Sequence, residues 1–189
     1  VFEDNDGTFS RIREELLAFY PEDVRLKKIA ARAVVMAQAG QYNYARCMRR
    51  QDPVAAQLAL GKFMRSAMSV VYLLNKKYTP YYKWTFRGFD ELTYLQELKY
   101  QFRELAMLGC DLKAWTDTGM PAWLANDPQF INDADRRVEL IEDICRKVVS
   151  EMERQELTDA SDSFLEAHAY SVMSRIRDPE IRQCHVMEG

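Results

Sequence analysis

Apolar residues in this chain recur at three- and four-residue intervals almost from end to end, the spacing that lines one face of an α-helix. Ile12, Leu16, Leu17 and Phe19 mark a first helix, capped by Thr8 or Ser10 and stopped before Pro21. Pro21 suits the first position of a second helix, and Glu22 and Asp23 favour that helix's positive end. Leu26, Ile29, Ala30, Ala33, Val34 and Ala37 form its stripe. Gly40 is expected to interrupt it, and residues 41–46 to resume it, with Asn43 to Arg50 as the last turns.

Asp52 is placed to cap a third helix with Pro53 at its first position. The later half of that helix, Ala67 to Leu74, is apolar on nearly every side, which predicts a buried central rod. Lys76 and Lys77 suit its negative end. A short helix is expected over Tyr81 to Arg87, ended by Gly88. Asp90 then reads as the cap of a fourth long helix with Leu92, Leu95, Leu98, Phe102, Leu105 and Leu108 on one face, closed by Gly109.

Gly119, Pro121, Asn126, Asp127 and Pro128 make residues 117–133 read as a long loop. From Ala134 to about Gln155 a long charged helix carries the seam Val138, Ile141, Ile144, Cys145, Val148 and Met152. A last helix starts near Ser161 or Ser163 and runs to Ile176, and Pro179 leaves room for a short terminal turn. No strand pattern and no repeat of 20 to 50 residues occurs. The pattern predicts a single all-α domain over 1–189, an up-and-down bundle of about five or six long helices.

Composition agrees. The 189 residues are 48% hydrophobic and 29% charged, with only seven glycines and six prolines, too few turn formers for a β-sandwich. The formal net charge of −3 gives no general pull toward nucleic acid or a membrane surface, so an anion site has to be local. The longest apolar run falls far short of a membrane span. Cys47, Cys110, Cys145 and Cys184 are scattered without a C-x-x-C pair, which reads as reduced thiols in a cytoplasmic protein. The chain begins at Val1, which reads as a piece of a longer protein.

Two stretches carry candidate chemistry. Between Asn75 and Arg87, Lys76, Lys77, Lys83 and Arg87 offer cations, while Tyr78, Tyr81, Tyr82 and Trp84 offer ring faces and hydroxyls around Pro80. Rings stack on flat groups and lysines neutralise phosphate, so the segment suits a flat or anionic ligand. The alternative is that the rings fill the end of the bundle and the lysines complement a helix dipole. The second stretch, Gln38 to Arg50, sets Gln38, Gln41, Tyr42, Asn43, Tyr44 and Arg46 beside the expected interruption. It lines a cleft, or it is a solvated connection whose tyrosines pack their rings.

His168 lies near an apolar seam and reads as a partnered core histidine, and His185 has no metal-ligating companions. Asp133, Asp135, Glu139, Glu142 and Asp143 read as the acidic, solvated start of a helix. No Glu-x-x-His pair, phosphate-cradling glycine loop or nucleophile motif is present. Arg182 and His185 are too close together for the Arg/His pattern of helical HEPN ribonucleases.

The strings Pro21-Glu22-Asp23-Val24, Gly40-Gln41-Tyr42-Asn43-Tyr44, Leu74-Asn75-Lys76-Lys77-Tyr78 and His185-Val186-Met187 resemble the all-helical back half of an uncharacterised bacterial family. The front half of that family is nucleotidyltransferase-like, of the kanamycin-modifying type. The resemblance implies an upstream domain in which a Gly-Ser turn and an Asp-x-Asp pair hold magnesium and a nucleoside triphosphate. This chain has no such turn and pair, so the resemblance implies a substrate-binding or accessory domain that is not catalytic alone and holds no cofactor or metal itself. By analogy with related two-domain enzymes, Gln41, Tyr44, Arg46, Lys76, Lys77, Tyr78, Tyr82 and Lys83 would bind substrate or face the upstream domain. Its partners would be that domain and a small-molecule or nucleotide ligand. The other reading is a protein–protein interaction or dimerisation module, with Met120, Pro121, Trp123 and Leu124 as an exposed apolar patch and a homodimer as one outcome.

Overall fold

Two helices packed side by side in opposite directions organise the molecule. A computed structural model describes residues 3–116 and 131–189, and among these every regular element is helical. The first rod is α2 (Glu22–Met36), which passes without a break through a π-helical stretch (Ala37–Tyr44) into α3 (Ala45–Arg49). The second rod is α4 (Pro53–Leu74). Asp52 caps α4 by accepting the Ala55 N–H at 2.9 Å, and Val70 to Leu74 are buried in succession, as expected of a central helix.

Around this pair pack α6 (Leu98–Met107), α7 (Arg136–Arg154) and α8 (Leu165–Ser174), with a short α5 (Tyr82–Thr85) and a terminal α9 (Pro179–Gln183) at the margins. The α7 seam is buried as its spacing predicts, from Val138 through Met152. Full burial of each large aliphatic or aromatic side chain favours folding by roughly 1.5–3 kcal/mol.

Three connections leave their helices by the same device. After α4, Lys76 adopts a left-handed φ of 51°, the Lys76 N–H donates to Leu73 O, and the Lys77 N–H donates to Tyr72 O. Gln51 (φ 57°) after α3 and Glu156 (φ 58°) after α7 repeat it. These are Schellman closures built without glycine. Two side chains, buried Arg25 and half-buried Gln155, also reach the end of α4. Arg25 donates to Leu73 O at 3.3 Å, and Gln155 Nε2 donates to Leu74 O at 2.9 Å.

The structure corrects two expectations and, among the described residues, leaves one helix uncovered. Gly40 does not interrupt the second helix; the helix widens there instead. The fourth helix does not begin at Asp90, whose carboxylate pairs with Lys99. Residues 87–91 form a 3₁₀ turn, and Leu92 is extended. Asn75 holds the chain that follows by accepting the Thr93 and Tyr94 N–H groups, both at 2.8 Å, and by donating to Tyr94 O at 2.9 Å. Regular α-helix resumes only at Leu98. Finally, α1 (Thr8–Leu17) buries none of its residues, and Phe9, Ile12, Leu16 and Leu17 are exposed. The expected loop 117–130 and its Met120, Pro121, Trp123 and Leu124 lie outside the described residues.

Candidate functional site

The π-helical stretch is where backbone, packing and chemistry converge. Runs of widened helix longer than one turn are rare and favour functional positions. Its cause is local. Buried Met36, Gly40, Tyr44 and Met48 recur every four residues, a spacing that drifts about 40° per step on an ordinary α-helix and that wider turns bring back to one face. At Gly40 the neighbouring α4 and α7 come so close that a Cβ would lie 2.4 Å from Phe63 Cδ2 and 3.0 Å from Ile141 Cγ2.

The widened turns push Gln38 and Gln41 sideways toward α7 and α8. Gln41 uses its whole amide: Nε2 donates to Glu142 Oε2 at 2.8 Å and to Ser163 O at 3.1 Å, and Oε1 accepts the Leu165 N–H at 2.9 Å. Gln38 Nε2 donates to Glu166 Oε2 at 2.9 Å. Between these bridges opens a cavity of about 600 Å³. Val138, Ile141 and Phe164 give it apolar walls, while Asp162, Glu142 and Glu166 give it acidic ones, and among the described residues no lysine or arginine lines it. Burial pushes the Glu142 carboxyl above the ordinary glutamate range, against the opposing pull of the Gln41 amide and Arg146.

The rim of this cavity is fixed from behind by His168. Its Nε2 faces Asp162 O at 2.7 Å and can only donate there, while Nδ1 meets the Thr158 hydroxyl at 2.9 Å. His168 is thus a buried brace for residues 158–162, the role its sequence position suggested. Among the described residues, no three His, Cys, Asp or Glu side chains converge as metal ligands would.

The expected site residues are distributed as follows. Gln41 lines the cavity. Tyr44 is fully buried, its hydroxyl donating to Asp135 Oδ2 at 3.2 Å, and burial followed by the Asp135 charge pushes its phenol well above the usual range. Arg46 folds back on its own helix, over the Tyr42 ring and onto the Tyr42 hydroxyl. Lys76 closes α4, and Lys77 Nζ donates to Glu91 O at 2.5 Å. Tyr78 packs against Phe19 and Tyr20, with centroids at 5.0 and 4.8 Å, and donates to Leu16 O at 2.9 Å. Tyr82 and Lys83 are exposed.

These residues therefore do not share one hollow. None of residues 75–87 lines the cavity, and Phe63, beside Gly40, stands twelve residues or about 18 Å of α4 before Asn75. Glu142, Asp162 and Glu166 are the cavity residues that a single sequence does not group. Glu142 was expected to be solvated, but it shares the inward face of α7 with Val138 and Cys145 at four- and three-residue spacing, and that register is the signal available.

Residues 1–85 match the family model of a domain of unknown function, DUF4037. The DUF4037 segment thus runs from α1 to the end of α5 and supplies Gln38, Gly40 and Gln41, while Glu142 and Glu166 come from beyond it. No curated protein matches this chain, and no solved structure does.

Proposed function

We propose that the bundle is a substrate-binding or accessory domain whose ligand occupies the cavity beside the π-helix. The observation that carries this reading is the cavity itself, opened by widened helical turns and held by the Gln41–Glu142 and Gln38–Glu166 bridges. Acidic walls, with no basic residue among the described lining, favour a small, positively charged molecule bearing hydrogen-bond donors, such as a polyamine or an amino sugar. Apolar Ile141 and Phe164 would cover its carbon frame. Anions are disfavoured at this position.

The wider context we propose is a nucleotidyltransferase-like protein in which the catalytic carboxylates, magnesium and nucleotide belong to a separate domain. Support for it is the resemblance of the strings around Pro21, Gly40 and Leu74. A Gly-Ser turn with an Asp-x-Asp pair in the reading frame upstream of Val1 would support this context, and a frame without them would remove it.

Thermal denaturation tests the cavity. Spermidine is expected to raise the melting temperature of the wild type, while inorganic phosphate and glycerol leave it unchanged. Glu166→Gln should abolish the spermidine effect. Stabilisation by phosphate alone would contradict the reading.

One observation favours a second reading, a protein-interaction module. The apolar face of α1 has no cover among the described residues, while its end is anchored by Tyr78. Leu16→Glu would then break a dimer or a complex without lowering bundle stability.

A further inference from the structure

The ring-and-cation segment after Pro80 stands apart from the cavity and is built as a platform. Its inner side is fixed. Thr85 is buried, its carbonyl accepts the Tyr72 hydroxyl at 2.8 Å, and its own hydroxyl donates to Pro80 O at 3.0 Å. Phe89 stacks edge-on between Tyr72 and Phe102, with centroids at 5.8 and 5.5 Å. Gly88 permits this anchoring, since a Cβ there would meet the Tyr72 hydroxyl oxygen at 2.3 Å.

The outer side is different. Tyr81, Tyr82 and Trp84 are 62%, 66% and 56% exposed, and Tyr100 on the adjoining α6 is 72% exposed. The core is complete without these rings. Cations stand beside them. Arg87 lies 5.3 Å from the Trp84 ring and Lys83 6.0 Å from the Tyr82 ring. Lys99 and Arg103 of α6 both lie over Phe86, at 5.4 and 5.8 Å, which joins the two elements into one surface. Asp90 pairs with Lys99, but among the described residues no carboxylate pairs with Lys83, Arg87 or Arg103. In a chain of net charge −3, three unneutralised cations interleaved with four exposed rings form a local exception.

We propose that this surface binds single-stranded nucleic acid. Every base offers a face that stacks on an exposed ring whatever its identity, and each phosphate offers the charge that Lys83, Arg87 and Arg103 lack. A duplex hides its base faces and would use only the cations. The rings are already placed by Thr85 and Phe89, so little order has to be gained on binding.

Fluorescence anisotropy of a labelled 12-nucleotide oligoribonucleotide of mixed sequence tests this. Binding should weaken with salt, with a slope of log K against log salt of about −2 for three phosphates neutralised on a single strand. The pair Tyr82→Ala/Trp84→Ala should weaken binding at least about tenfold through lost stacking. Arg87→Ala/Arg103→Ala should flatten the salt slope. Lys62→Ala/Arg65→Ala, exposed cations of α4, should change neither. All these side chains are exposed, and unchanged thermal melts would show that the variants remain folded.

The proposal is overturned if no binding occurs at about 50 mM salt, where the charge contribution is strong. It is equally overturned if a duplex and inorganic polyphosphate compete as well as the single strand while the ring variant binds normally. It also falls if the α4 pair weakens binding as much as the platform pairs. Failure to bind the oligonucleotide together with a concentration-dependent dimer broken by Trp84→Ala would assign the surface to a second copy of the chain and reject the proposal.

Discussion

Phe63 of α4 occupies the space where a side chain on Gly40 would begin. That contact locks the π-helical stretch against the central rod and fixes where Gln38 and Gln41 emerge. An alanine at this position would be favoured by helix propensity by about 0.8–1.0 kcal/mol. The clash outweighs that gain, because the atom in the way belongs to a fully buried ring. Gly40→Ala should destabilise the protein by about 1–3 kcal/mol in urea unfolding. Phe63→Leu should recover part of the loss when combined with it. A Gly40→Ala protein as stable as the wild type would mean that the two helices are not in this contact.

The non-glycine Schellman closures make the opposite prediction. Lys76 and Glu156 hold left-handed conformations that cost an L-residue about 1 kcal/mol. Lys76→Gly and Glu156→Gly should each stabilise the fold by roughly 0.5–1 kcal/mol, read as a higher urea midpoint with unchanged slope. A loss of stability in both would contradict the helix ends described above.

Asp135 joins three elements. Its Oδ1 caps α7 through the Arg137 N–H at 2.9 Å, and its Oδ2 accepts Trp115 Nε1 at 2.8 Å and the Tyr44 hydroxyl at 3.2 Å. Asp135→Ala removes the cap and leaves two donors without an acceptor, a cost of about 2–4 kcal/mol. Asp135→Asn keeps an acceptor and should cost less. Equal stability of the alanine variant and the wild type in denaturant would show that this junction is not formed.

Glu142 sets a pH dependence. Burial raises its pKa, so above the ordinary glutamate range the folded protein holds a proton that the unfolded chain has released. Its contribution to stability is therefore largest in acid, falls as pH climbs from the ordinary value through the raised one, and stays lost at neutral pH. Gln at this position keeps an acceptor for Gln41 and carries no charge. Glu142→Gln should thus melt higher than the wild type near pH 7, and the difference should shrink toward about pH 4. The reverse order near neutrality would contradict the burial of this carboxylate.

Helix positions were legible in the sequence where burial follows a 3.6-residue period, as along α2, α4 and α7, and where a cap speaks plainly, as at Asp52. Three things were not. The helix ends at Gln51, Lys76 and Glu156 carry no glycine, so their closure depends on backbone bonds that composition does not announce. Asp90 looks like a cap, yet Asn75, fifteen residues earlier, captures the following turn and delays the helix to Leu98. The apolar residues of α1 mark a helix, and nothing local reveals that their face stays exposed. For the candidate site, the polar run at Gln38 and Gln41 was visible, but its partners Glu142 and Glu166 arrive from more than 100 residues away through tertiary packing.

A cationic ligand is expected to enter the space between the π-helix, α7 and the start of α8. Amide chemical-shift mapping of the folded protein, titrated with spermidine and separately with inorganic phosphate, reads its position residue by residue. Saturable shifts under spermidine, concentrated at Gln38 to Ala45, Glu142 and Asp162 to Glu166 and absent under phosphate, are the predicted result. Spermidine shifts scattered over the acidic surface, or none near Gln41, would contradict it.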